Sequence, residues 1–261
     1  MKRFLLGLLV LSVFNFAHAE GDPDRGMKRV LGIEEPWVEN AFYFSSSRDN
    51  DSRQGHAWNF GVEWDAALNE KWGTEIDAPG VLAQQPVGRA PAAFAPLSAG
   101  LKYMAVSWGD DESENAGVLG MELEGGWWPR PQPENFPGVG SNLAEQILVG
   151  LRHGRYWLQG EYGFSQRLAA DARSGWFANS ALGYRISKDW VFQVELDLNR
   201  TSVDEFGHTA SSMTLTPQVG WQINPSWQMV LGESVGRVEG TASLGVMTNV
   251  LFEYSFDEEG T

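Results

Sequence analysis

The sequence predicts an all-β protein: a transmembrane, antiparallel, up-and-down β-barrel of about twelve strands in the outer membrane of a Gram-negative cell. Three observations lead there. Hydrophobicity alternates with a period of two through most of the chain after residue 37, the connections between alternating segments are long and short in turn, and an export signal precedes a chain with no cysteine.

The chain starts with Lys2 and Arg3, then an apolar run from Phe4 to Phe16, then Ala17-His18-Ala19 ahead of Glu20. A basic end, a short apolar stretch and a small-x-small site make a Sec-type signal peptide over 1–19. The run is too short to be a membrane helix, which needs about 20 apolar residues. Cleavage after Ala19 removes two positive charges and no negative one, so the formal charge of −15 becomes −17. Nucleic acid needs basic surface and is excluded as a partner. Without cysteine there is no disulfide, lipoprotein anchor or thiol nucleophile. The twelve Trp fit a barrel, which sets aromatics in girdles at both membrane interfaces. Residues 20–36 are polar, with Pro23 and Pro36, and read as a periplasmic tail or a partial plug.

The barrel is expected over 37–256, with 257–261 as a short tail. Trp190 to Asn199 shows the pattern best: its even positions are apolar, and its odd positions from 193 are Gln, Glu, Asp and Asn. Laid out as a strand, it has one oily face and one acidic face. Strands are predicted at 37–46, 56–66, 72–78, 98–108, 116–128, 143–152, 156–164, 176–186, 190–200, 211–223, 227–236 and 244–256. The connections at 47–55, 79–97, 129–142, 165–175, 201–210 and 237–243 are each longer than those beside them. Short periplasmic turns and longer outer loops produce that rhythm.

Alternation alone does not say which face is inside. The export signal, the rhythm of the connections and the glycines on the polar face (Gly61, Gly120, Gly150, Gly183, Gly220) favour an oily exterior. On an inner wall such glycines make room in a narrow barrel. The sheet must then close, because lipid satisfies no backbone group. Gly183 to Trp190 repeats in Gly220 to Trp227, and more weakly in Leu68 to Trp72: strand, polar turn, then Trp. Trp72, Trp190 and Trp227, with Phe256 on the last strand, are expected to form an interface belt. A last strand ending in an aromatic also implies the barrel-assembly machinery as a partner, beside the lipid bilayer.

Four segments carry a family resemblance: Leu68 to Ile76, Ser98 to Tyr103, Ala181 to Ile186 and Leu215 to Gly220. They resemble the outer-membrane barrels grouped as the meta-pathway of phenol degradation and their transporter-like relatives. The likeness spans most of 56–256 and lies in hairpin grammar, with no catalytic motif. It implies a barrel engaged in uptake of small, often hydrophobic compounds, and no substrate residue is carried over.

The inward face is expected to gather Glu63, Asp65, Glu75, Asp77, Glu122, Glu124, Glu161, Glu195, Asp197 and Glu253, with Lys102, Arg152 and Arg185. One reading is a cation-favouring lumen whose basic cluster sets a constriction, giving a passive channel or transporter for a small hydrophobic or cationic solute. The alternative is a salt-bridged interior in a closed structural barrel that interacts through its loops, notably 79–97 and 129–142. Glu122/Glu124 and Glu195/Asp197 sit two apart and could offer oxygens to Ca²⁺, but alternation alone produces such pairs, so no metal or cofactor is expected. An enzyme is not expected either. The nearest hydrolase candidates are His208 and Ser211, with no Asn partner evident.

Overall fold

The computed structural model describes residues 27–31, 33–49, 56–78, 81–85, 92–94, 97–110, 113–127, 141–168, 174–202, 209–238 and 245–256. The signal peptide, the 257–261 tail, His208 and most of the long connections lie outside them.

Among the described residues fourteen strands form one antiparallel sheet: β1 (Ala41–Asp49), β2 (His56–Ala67), β3 (Trp72–Ala78), β4 (Val81–Gln85), β5 (Ala92–Phe94), β6 (Leu97–Trp108), β7 (Asn115–Trp127), β8 (Asn142–His153), β9 (Tyr156–Arg167), β10 (Ser174–Arg185), β11 (Trp190–Ser202), β12 (Thr209–Asn224), β13 (Trp227–Val238) and β14 (Gly245–Ser255). Twelve of them close into a barrel, because β1 pairs with β14 on one side and with β2 on the other. The remaining two, β4 and β5, pair with each other, and β4 extends the pairing of β2 beyond the end of β3. The expected 79–97 connection thus contains a hairpin. Its short apolar pieces are separated by prolines, which hid the period of two.

The turns at 68–71, 154–155, 186–189 and 225–226, with residues 109–110 and 113–114, gather at one end with the start of β1 and the end of β14. The repeated turn motif has a physical cause. The Asn69 side chain accepts the N–H groups of Lys71 and Trp72 at 2.9 and 3.1 Å, and Asn224 accepts those of Ser226 and Trp227 at 3.0 and 3.1 Å. Each Asn closes the turn and delivers a Trp to the next strand. Gly154, at φ 57, supplies the left-handed residue of another turn.

The barrel is oily outside and polar within. Leu101, Met121, Leu123, Ile147, Tyr162, Phe192 and Leu215 are exposed, whereas Lys102, Glu122, Gln159, Gln193, Glu195 and Gln218 are buried. A water-soluble sandwich has the opposite pattern. Lipid accepts this exterior, and the closed ladder leaves no edge to desolvate. One register shift lies between Met104 and Val106 on β6. After it the even positions face out, and Val106 is 53% exposed.

The first strand begins at Ala41 rather than at 37. Trp37, Val38, Glu39 and Asn40 are all buried, so this stretch does not alternate as a strand with one face to lipid. Residues 27–31 and 33–40 run inside the barrel. Met27 and Trp37 pack on Val118, Trp157 and Val191, near the end with the short turns. Val30 and Ile33 meet Ala181, while Leu31 packs beside Ala41, Tyr43, Val230 and Leu251. The wall is recessed for this segment: a Cβ on Gly150 would press on Met27 and Pro36, one on Gly120 on the Pro36 carbonyl, and one on Gly232 on Leu31.

Candidate functional site

The internal segment is hydrogen-bonded to the wall on several sides. The Leu31 N–H donates to Gln218 Oε1 at 3.0 Å, the Glu34 N–H donates to Glu161 Oε2 at 2.8 Å, and the Arg29 carbonyl accepts from Gln193 Nε2 at 2.7 Å. At its exit, Asn40 accepts the Ala67 N–H at 2.9 Å through Oδ1 and the Phe256 N–H at 2.9 Å through its carbonyl. These partners sit on β2, β9, β11 and β12 and beyond the end of β14, so the segment has one defined seat.

Two cations organise its charge. Arg29 pairs with Glu35, reaches both oxygens of Glu63 at 3.0 and 3.1 Å, and lies 3.7 Å from the Tyr43 ring centroid. Lys102 pairs with Glu34 and lies 3.6 Å from Asp65. Glu34, outside the strands, bears the opposing effects of burial, which disfavours its charge, and of Lys102 and Arg29, which prevail and hold its carboxyl below the usual range. Glu39 is the opposite case. Burial, reinforced by Glu253, pushes its carboxyl up to about 8, and the Tyr43 hydroxyl donates to it.

Beyond the segment, toward the end with the long connections, lies a cavity of about 430 Å³. Its floor is Arg29, Leu31, Ile33 and Glu34, and its walls include Glu63, Glu75, Asp77, Glu124, Glu161 and Asn199. Several wall groups are fixed by neighbours. Ser98 donates to Asp77 at 2.8 Å, Gln146 to Glu122 at 2.9 Å, and Asn179 to Glu161 at 2.6 Å. Away from the cavity, Gln218 donates to Glu195 at 2.8 Å, Asp197 follows two positions along β11, and Glu253 accepts from the Ser255 hydroxyl at 3.0 Å.

The basic residues do not form one cluster. Arg152 donates to the carbonyls of Asp110 and Ser113 at 2.6 and 2.7 Å, so it clamps a short turn. Arg185 ends β10, at the same end. The cation that joins Lys102 is Arg29, which sequence reasoning missed together with Glu34, Glu35 and Glu39. The available signal was the surplus of inward acids on the strands, which calls for basic groups among them; Arg29 meets part of that need, although the segment also brings three acids of its own.

Trp72, Trp190 and Trp227 stand at the short-turn end, each about two-fifths exposed, and Phe256 lies beside them. They pair with Tyr103 at 4.5 Å, Trp221 at 5.5 Å and Tyr254 at 4.8 Å, while Phe256 meets Tyr254 edge-on at 5.0 Å. Ser211, on β12, pairs in register with Arg200.

An oily closed wall around a polar, ion-paired interior defines a transmembrane barrel of the outer-membrane type. The comparisons agree on this class. The structure is similar to a crystal structure of an outer membrane channel from Pseudomonas putida F1, with a TM-score of 0.59 and 12% identity over 88% of this chain and 100% of that one. It is also similar to the NanC porin, with a TM-score of 0.56 and 9% identity over 82% of this chain and 99% of that one. No family model and no curated protein sequence matches the chain.

Proposed function

We propose that the protein is a passive outer-membrane channel for small solutes, with an outer vestibule that concentrates cations and an N-terminal segment that sets the constriction. The carrying observation is the 430 Å³ cavity walled by carboxylates and floored by residues of the 27–40 segment. A low-dielectric wall focuses the field of Glu63, Glu75, Asp77 and Glu124 on this space, which raises the local concentration of cations. That the two similar structures named above are a channel and a porin supports the reading. The hairpin likeness to the phenol meta-pathway barrels makes small, often hydrophobic compounds a second solute class to test. Trp72, Trp190, Trp227 and Phe256 serve in this reading as the inner interface belt, and β14 as the strand read by the assembly machinery.

In planar bilayers the purified chain should give low, cation-selective conductance that rises when residues 20–39 are removed. Silence of both forms at all voltages would contradict the channel reading. A second reading, a closed structural barrel, is favoured by Met27, Trp37 and Trp157 filling the inner half. It predicts that removal of the segment changes stability without opening a pore.

A further inference from the structure

We propose that the vestibule floor holds a divalent cation of the Ca²⁺ type, bound by Glu34 of the internal segment, Glu75 of β3 and Glu122 of β7. One oxygen from each of these carboxylates lies within 4.8 Å of the others. Two oxygens bound to one Ca²⁺ at about 2.4 Å lie at most about 4.8 Å apart, so the three carboxylates meet the spacing that a shared ion requires.

The three are not neighbours by alternation. Register puts Glu75 opposite Gly100, and Gly100 opposite Glu124, while Glu122 faces Lys102. Gly100 leaves a notch, because a Cβ there would collide with the Glu122 carboxylate and lie 3.5 Å from the Glu75 Cβ. The acids of adjacent strands thereby come together over a missing side chain, and Glu34 reaches them from the internal segment.

The second observation is the state of the oxygens. Glu75 and Glu122 are 5% and 4% exposed, and Glu75 Oε2 and Glu122 Oε1 are buried without a hydrogen-bond donor. Gln146 satisfies only the other oxygen of Glu122. In the nearby group Glu34, Glu35, Glu63 and Asp65 every member is paired with Arg29 or Lys102, whereas among the described ion pairs Glu34 alone of the three proposed ligands is, through Lys102. Buried, unpaired carboxylate oxygens that converge are costly unless a cation or a shared proton lies between them. Three carboxylates, Lys102 and one divalent ion sum to zero charge. Hard carboxylate oxygens suit Ca²⁺, with water completing the shell, and the cavity that Glu34 and Glu75 line gives the ion a way in.

Binding is a separate property from conductance, so the test does not depend on the channel reading. The full chain in detergent, stripped with chelator, is titrated with CaCl₂ by calorimetry at neutral pH. The expected result is saturable binding of one ion, weakened at least about tenfold in Glu75→Gln and in Glu122→Gln, and unchanged in Glu195→Gln. Gel mobility of the folded barrel confirms that each variant has folded, and Gly100→Ala gives a further arm, expected to weaken binding without removing a ligand. No saturable heat in the wild-type chain would overturn the proposal and leave a shared proton as the alternative. Binding unaltered by both ligand substitutions would overturn it equally.

Discussion

The two halves of the lumen share one wall but differ in what fills them. In the outer half the inward residues are Glu63, Glu75, Asp77, Glu124 and Asn199, and they surround a cavity. In the inner half they include Val118, Trp157 and Val191, and they close on Met27 and Trp37. The same strands pass through both halves: β7 carries Val118 low and Glu124 high, and β11 carries Val191 low and Asn199 high. The lesson is that an apolar residue at an inward position of a polar-lined barrel marks where something dry rests against the wall. Water would fill that space only at a cost to Trp157 and Val118.

The contrast can be broken most severely by deleting residues 20–39. This should leave the barrel folded and take the pore from near silence to a steady open level in single-channel recording. Trp37→Ala comes next. It removes the largest buried side chain of the segment and should cost about 3–5 kcal/mol of segment docking, read as faster proteolysis of the N-terminus in the folded barrel. Lys102→Met should cost a similar or slightly smaller amount, about 3–5 kcal/mol, because Glu34 and Asp65 lose their shared cation while staying buried. In the outer half, Glu124→Gln should change stability by less than about 1 kcal/mol, since that group borders a wet cavity. It should still lower cation preference in reversal-potential measurements.

The smallest effect is a pH dependence, and it belongs to the segment. Glu39 has its folded carboxyl raised to about 8, so the docked state prefers the protonated form. Docking stability from this group is full below the ordinary carboxylate range and is lost as pH rises toward and through 8. Glu253, Tyr43, Arg29 and Lys102 surround it and move the same equilibrium. Hydrogen exchange of residues 27–40 should therefore quicken between pH 6 and 9 beyond the intrinsic base dependence. Glu39→Gln should flatten the excess.

Most of the barrel was legible in the sequence because lipid imposes a strict period of two. Trp190 to Asn199 shows the oily and polar faces directly, and the Asn-x-x-Trp turns mark two strand starts. The β4–β5 hairpin was hidden by prolines, and the shift at Met104/Val106 by a change of phase within one apolar run. The internal segment was harder, because a chain packed on all sides inside a barrel has no exposed face and so no period. Its trace lay on the wall instead: Val191 breaks the polar series that resumes at Gln193, and Gly120 and Gly150 stand where larger residues would meet Pro36. Asp77 and Glu124 could be placed from alternation, whereas Arg29 and Glu34 could not.

The most direct test uses the absence of cysteine in the chain. Single substitutions Glu124→Cys in the outer half and Val118→Cys in the inner half are labelled in the folded barrel with a water-soluble maleimide. The account predicts rapid labelling at 124, protection at 118, and loss of that protection when residues 20–39 are removed. Equal labelling of both positions in the intact chain would contradict it.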